Sequence, residues 1–172
     1  MRKLTRWVTN HRIITVLLFI GALLPRVLQP GRFITWDELK WVFRSIGFLD
    51  ALSRVDLAGT FQAGHPGVTT MWCGVMGVGL RCLIEGEPVR QALATVASLS
   101  SLSPFDAQAM KTLAPFLVYG RLVVSTATAL CVAGMYVMAR HFLKGWVAFL
   151  GVALVALDPF YLAHSRVLHV DA

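Results

Sequence analysis

The sequence predicts an all-α, polytopic integral membrane protein, and its composition and its hydrophobic runs lead to this prediction. The 172 residues are 56% hydrophobic and only 15% charged, whereas a soluble domain usually carries roughly a quarter charged residues. The mean hydropathy is +0.66. Many of the hydrophobic residues are gathered in uncharged runs that suit a bilayer better than water. This composition excludes disordered, collagen-like and coiled-coil chains.

Three runs are predicted to span the membrane, at about residues 13–28, 120–139 and 146–163. The first contains IITVLLFIGALL, and we interpret it as an uncleaved helix because no small-x-small cleavage site of a signal peptide follows it. The second has an uncharged run with many small residues, which suit close helix packing in lipid. The third continues past Asp158-Pro159, and a charged residue there is costly enough to require a reason.

The basic residues predict the orientation of these spans. The net charge is +7, and basic residues lie beside the hydrophobic runs, at Arg2, Lys3, Arg6, Arg12, Arg140 and Lys144. Because Lys and Arg resist translocation, the N-terminus and the turn at 140–145 are predicted to be cytoplasmic. Residues 29–119 then form a loop on the outer face, outside the plasma membrane if the protein is bacterial. No basic stripe is interleaved with aromatic residues, so nucleic acid is excluded as a partner.

Two helices are predicted within the outer loop. Residues 36–52 alternate apolar and charged positions at helical spacing, which indicates an amphipathic helix at the membrane surface. Residues 66–82 contain a 13-residue apolar stretch closed by Arg81, which favours a juxtamembrane or re-entrant helix. The alternative is that this stretch crosses the membrane and residues 93–102 cross back.

The acidic residues are the first candidates for chemistry. Asp37 and Glu38 follow the first span and Asp171 follows the third, so the predicted topology places all three at the outer face. Facing acids can act as general bases, or bind a sugar hydroxyl or a cation. The alternative is that they are simply solvated. No cofactor is required, and a divalent cation held by oxygen ligands stays open.

Three basic or titratable side chains could contact a phosphate. Arg121 lies at the outer mouth of the second span, and Arg166 lies five residues before Asp171. The planar guanidinium group matches phosphate oxygens; the alternative is that each arginine anchors a helix end. His65 opens the apolar stretch and could face a phosphate or an acceptor, or belong to a turn. No metal site is predicted, because the three cysteines lack ligand spacing and His164 and His169 are five residues apart.

The order of these motifs resembles the N-terminal part of the polyprenyl-phosphate-sugar glycosyltransferases with the GT-C fold. The nearest group looks like the dolichyl-phosphate-mannose–protein mannosyltransferase family and its bacterial relatives, including the lipid A aminoarabinose transferases. The matching elements are a basic N-terminus and first helix, a DE pair, an HP pair, a GR pair opening a span, a basic turn and an SR-x4-D segment. In this chain they are Asp37-Glu38, His65-Pro66, Gly120-Arg121 and 165–171.

The resemblance implies an activity and roles for individual residues. Members transfer a sugar from a polyprenyl phosphate to a protein or lipid hydroxyl at the outer face, with inversion, so the expected partners are this donor, the acceptor and membrane lipids. Asp37 maps to the catalytic acid of the first outer loop, and Glu38 would assist it. Asp171 would line the same cavity, while Arg121 and Arg166 could hold the leaving phosphate.

Two further expectations complete the sequence-based interpretation. We expect the chain to be an N-terminal fragment of a longer multi-span protein, inactive without the remaining spans. The rival function is a non-enzymatic membrane protein, such as a transporter or an assembly subunit, in which the outer acids are structural. A transporter is expected to place ionisable groups or broken helices near the bilayer midplane.

Overall fold

A computed structural model describes residues 11–35, 37–64, 67–99 and 106–170. Within these ranges the chain is all-helical, as predicted, and contains no β-strand. The helices are α1 (His11–Val27), α2 (Glu38–Ser53), α3 (Val68–Glu85), α4 (Val89–Ala97), α5 (Ala107–Ala139), α6 (Gly145–Leu157) and α7 (Pro159–His164).

The chain forms two compact units. The first unit consists of Met1–Leu28 and Ser125–Arg166, and the second of Gln29–Val124 and Val167–Ala172. Helix α5 runs through the boundary and supplies its N-terminal part to the second unit and its C-terminal part to the first.

The first unit packs α1, α5 and α6 through narrow stripes of apolar and mostly small residues. Its buried side chains recur every three or four positions, as expected for one face of each helix: Ile14, Leu18, Ala22, Ala129, Val132, Tyr136, Ala148, Val152 and Ala156. Other large apolar side chains are exposed, including Val16, Leu17, Ile20 and Leu24 on α1. An apolar surface of this kind indicates contact with a membrane or with protein.

The predicted span at 146–163 is interrupted in the first unit. Helix α6 ends at Leu157 and α7 begins at Pro159, with Asp158 in an extended conformation between them. Proline has no N–H to continue the ladder of hydrogen bonds. The Asp158 carboxylate instead accepts a hydrogen bond from the backbone N–H of Tyr161 at 2.7 Å. Asp158 is therefore the N-cap of α7, which accounts for an acid at this position.

The second unit is built around α2 and α3. Its core comprises Leu39, Trp41, Val42, Ile46, Phe48, Met71, Val78, Cys82, Ala92, Val96, Leu99, Leu113, Phe116, Leu117, Val124 and Leu168. Helix α3 approaches α5 closely, because a Cβ atom placed on Gly77 would lie 2.6 Å from the backbone nitrogen of Gly120. Small residues therefore set the distance between these two helices.

Helix α3 is longer than its apolar stretch suggests. Arg81 does not end the helix, because its guanidinium group pairs with Glu85 and Glu87 at 2.9 Å and lies 4.0 Å from the centre of the Phe116 ring. The helix therefore continues to Glu85 and reaches 18 residues. With α5 it is one of two described helices long and apolar enough to cross a membrane.

Three further boundaries differ from the sequence-based predictions. Helix α5 begins at Ala107, so residues 107–119 are helical rather than loop, because Leu113, Phe116 and Leu117 enter the core of the second unit. Helix α4 has nine residues, fewer than the roughly 20 that span a bilayer, so it does not supply the return crossing considered for 93–102. Helix α2 begins at Glu38, with Asp37 as its N-cap.

Candidate functional site

A buried ion pair lies at the start of α2. The Arg121 guanidinium donates through Nε to Oε1 of Glu38 at 2.7 Å and through Nη2 to Oε2 at 2.5 Å. The Glu38 side chain is 0% exposed and that of Arg121 is 6% exposed. A bidentate contact of this kind is the strong form of the carboxylate–arginine pair.

The remaining contacts of Glu38 join three separate segments of the second unit. The backbone N–H and the hydroxyl of Thr35 both donate to Oε2 at 2.8 Å, and the backbone N–H of Leu168 donates to Oε1 at 2.8 Å. Burial raises the pKa of the Glu38 carboxyl, but the hydrogen bonds from Arg121, Thr35 and Leu168 outweigh it, so that the pKa lies below its ordinary value. Glu38 is therefore an ionised anchor for the loop before α2, for α5 and for the segment around Leu168.

Arg121 has little capacity left for a ligand. Besides its two bonds to Glu38, its Nη1 donates to the carbonyl of Pro30 and its Nη2 to the carbonyl of Phe33. These bonds use most of the five N–H donors of a guanidinium group. The geometry thus favours a structural role for Arg121 over the predicted contact with a phosphate.

Asp37 is the exposed neighbour of the buried pair. Its side chain is 51% exposed, and Oδ1 accepts a hydrogen bond from Lys40 Nζ at 3.0 Å. The hydrogen bond from Lys40 is the largest influence and lowers the pKa of the Asp37 carboxyl, with further lowering by the charges of His169 and Arg44. Asp37 therefore presents an ionised carboxylate to its surroundings at neutral pH.

His169 joins this site, and its proximity to Asp37 was not predicted from the sequence. Its Nε2 lies 3.8 Å from Oδ2 of Asp37, and its ring meets the buried Trp41 indole edge-on at 6.2 Å. The hydroxyl of Thr70 donates to the His169 carbonyl at 3.4 Å. The sequence signal for this contact was the position of His169 two residues before Asp171, which was predicted to lie near Asp37. His169 had been considered only with His164, as a possible metal pair.

The other predicted site residues are placed elsewhere or lie outside the described residues. Arg166 belongs to the first unit, where its Nη2 donates to the Leu28 carbonyl at 2.6 Å. His65 and Asp171 are outside the described residues, so the predicted meeting of Asp171 with Asp37 stays a prediction. In the second unit the structure brings together Asp37, Glu38 and Arg121.

The described part of the chain contains no cluster of side chains that could form a metal site. No group of three or more His, Cys, Asp and Glu side chains there could hold an ion. Asp37 pairs with basic groups instead, and these neighbours favour an anion or a hydroxyl next to Asp37 over a cation.

Comparisons with protein-family models, with curated proteins and with solved structures find no match for this chain.

Proposed function

We propose that this chain belongs to a membrane glycosyltransferase of the GT-C type, which moves a sugar from a polyprenyl phosphate to a protein or lipid hydroxyl with inversion. The observation that carries the proposal is the different environment of the two adjacent acids, Asp37 and Glu38. One carboxylate is exposed and ionised, and the next is buried and bound on every side. A reactive base on a rigid support is what transfer to a hydroxyl requires.

The membrane setting of the proposal is supported by the helices themselves. Helix α5 is long and apolar enough to cross a bilayer, and the first unit exposes apolar side chains along α1. The basic turn between α5 and α6 contains Arg140 and Lys144. We propose that this turn and the N-terminus face the cytoplasm, which puts Asp37 at the outer face.

Asp37 is the general base in the proposed reaction. Its carboxylate takes the proton of the acceptor hydroxyl while the hydroxyl oxygen forms a bond to the anomeric carbon. The bond from that carbon to the phosphate oxygen breaks, and its electron pair leaves with the polyprenyl phosphate. The proton then passes from Asp37 to solvent or to the released phosphate.

Glu38 is a positioning residue in this mechanism. Its carboxylate is fully buried, so it does not contact the substrate. By binding Arg121 and the backbone of Leu168 it determines where α2 begins and hence where Asp37 is presented.

The test compares the intact wild-type protein with Asp37→Asn in membranes that contain labelled polyprenyl-phosphate sugars. We expect transfer of the label to fall by about 10²- to 10⁴-fold, the usual loss when a general base is removed. Asp50→Asn is the matched control, because Asp50 is another acid on α2 that pairs with a basic neighbour, Arg54. Equal transfer by wild type and Asp37→Asn at equal expression would remove Asp37 from the mechanism.

A transporter is the second candidate, favoured by the interrupted helix in the first unit. Helices α6 and α7 break at Asp158, and the side chain of Arg26 is buried in the same unit. Broken helices and buried charges are typical of transport sites. Failure of the wild-type protein to transfer sugar from any polyprenyl donor, despite correct insertion, would favour this candidate.

A further inference from the structure

Arg44 is a half-buried residue of α2, and no described residue accepts a hydrogen bond from its guanidinium group. Asp37, Lys40 and Arg44 follow each other at three- and four-residue steps, so they share one face of the helix. Arg44 differs in its hydrogen bonding from Arg121, whose donors are almost all used within the protein.

Trp41 holds the Arg44 guanidinium in place. The Cζ atom of Arg44 lies 4.5 Å from the centre of the indole ring, and Trp41 is 1% exposed and belongs to the core of the second unit. A cation–π contact with a buried ring restrains the position of the guanidinium group without using its N–H donors. Such an edge matches the oxygens of a phosphate group.

The spacing along α2 suits an inverting transfer. Asp37 and Arg44 are seven residues apart, which corresponds to a rise of about 10 Å along the helix axis. In an inverting reaction the base and the leaving phosphate stand on opposite sides of the sugar, and the base lies about 3 Å from the attacking hydroxyl. This axial separation is comparable to the length of a sugar ring, and Lys40 lies between the two residues on the same face.

We propose that Arg44 binds the phosphate of the lipid-linked donor, with the sugar lying between Arg44 and Asp37. This inference rests on the proposed function and assigns its phosphate contact to Arg44 in place of Arg121. Lys40 and His169 contact the Asp37 carboxylate, since Lys40 Nζ lies 3.0 Å and His169 Nε2 3.8 Å from it.

The charges around Asp37 support an anionic ligand. Lys40, Arg44 and His169 all act on the Asp37 carboxyl, so among the described residues this acid is near two permanent positive charges and one titratable ring. The surplus of positive charge attracts a phosphate diester and favours the additional negative charge that develops on the leaving phosphate. An ordinary phospholipid headgroup has the same phosphate chemistry, so the test must separate the two sources.

The test is equilibrium binding of radiolabelled farnesyl phosphate to the intact protein in phosphatidylcholine nanodiscs, corrected with empty nanodiscs. We expect the wild-type protein to bind farnesyl phosphate more tightly than farnesol. Arg44→Gln should lose about 10- to 100-fold of the affinity for farnesyl phosphate, as expected for the loss of hydrogen bonds to a charged group. Arg44→Lys should recover part of it, because it keeps the charge and loses the fork.

Arg54→Gln is the matched control, since it removes the same charge from the C-terminal end of α2, where Arg54 binds Asp50. This variant should bind farnesyl phosphate as the wild type does, and the unfolding temperatures of all variants are compared. Unchanged binding by Arg44→Gln in a protein that prefers farnesyl phosphate would overturn the role of Arg44 and leave the proposed function standing. A wild-type protein without this preference would contradict the donor class itself. Equal displacement of the label by phosphatidylglycerol would overturn the assignment to the donor.

Discussion

Among the residues that the structure describes, each unit buries one arginine, and the two arginines are compensated in different ways. In the second unit, Arg121 faces the buried carboxylate of Glu38. In the first unit, Arg26 is 1% exposed, and the acceptors that it bonds among the described residues are all neutral. Its Nε donates to the Ser165 hydroxyl at 2.7 Å, and its Nη1 to the carbonyls of Ala22 and Ala156 at 2.7 and 3.1 Å.

The difference shows two uses of a buried guanidinium group. Arg121 connects separate segments around a charged partner, which holds the candidate site together. Arg26 instead binds the Ala156 carbonyl near the end of α6 and lies 5.2 Å from the centre of the Tyr161 ring on α7. Its Nη2 has no hydrogen-bond partner within the described residues. Arg26 therefore donates a hydrogen bond near the break between α6 and α7, where the last carbonyls of a helix lack their usual backbone N–H donors.

The largest expected effect is the loss of stability on breaking the Glu38–Arg121 pair. Arg121→Met leaves the Glu38 carboxylate buried without its partner, so we expect about 3–5 kcal/mol of destabilisation. Arg26→Met leaves no carboxylate without its partner. It should therefore lower the free energy of unfolding by only roughly 1–2 kcal/mol, because carbonyl and hydroxyl groups lose a hydrogen bond. Both values are measured by unfolding the intact protein in detergent.

The double variant Glu38→Gln/Arg121→Met sharpens this comparison. It should be more stable than Arg121→Met alone, because the unpaired charge is removed. If Arg26→Met were the more damaging of the two single substitutions, the distinction between the two arginines would be wrong.

The second expected effect concerns helix packing. Gly77→Ala would place its Cβ 2.6 Å from the backbone nitrogen of Gly120, and overpacking of this kind costs about 1–3 kcal/mol. Gly79→Ala is the control on the same helix, since no atom of the described residues lies within 4 Å of its Cβ position. Gly134→Ala in the first unit has equally open space and should also be tolerated. Equal unfolding free energies for the Gly77 and Gly79 variants would contradict the close approach of α3 and α5.

The smallest expected effect is a gradual loss of stability in acid. The pKa of Glu38 lies below its ordinary value of 4.5 in the folded protein, so the folded state favours the ionised form. The resulting stability is present above pH 4.5 and is lost as the pH falls through the lower, folded pKa. Glu38→Gln should weaken this dependence when the unfolding free energy is measured against pH. An unchanged pH profile in that variant would show that other acids cause the loss of stability at low pH.

Much of the helical fold follows from the sequence. The sequence predicted both ends of α1 and α2, the end of α5 and the start of α6 to within two residues. It placed the start of α5 at residue 120 rather than at Ala107, and it continued α6 past Leu157 to residue 163. Helix α3 was predicted to end at residue 82 and ends at Glu85, and the contacts of Arg81 with Glu87 and with the Phe116 ring are not visible in the local pattern. The break at Asp158 was noticed as a costly charge, but its role as an N-cap depends on the backbone around Tyr161.

The candidate site was predictable only in part. The sequence pointed to Asp37, Glu38 and Arg121, and the structure brings them together. It did not show that Glu38 and Arg121 bind each other, because they are 83 positions apart in the chain. His169 was considered only for metal binding, since its contact with Asp37 also joins distant segments.

The sequence by itself determined that the chain is helical and rich in apolar surface, because these properties come from composition and from local periodicity. Only the tertiary structure decided which acid of Asp37-Glu38 is exposed. Adjacent residues at the start of a helix point in different directions, so only one of them turns to the core. The positions of Arg121 and Leu168, which donate their hydrogen bonds to Glu38, select Glu38 for the core and leave Asp37 outside.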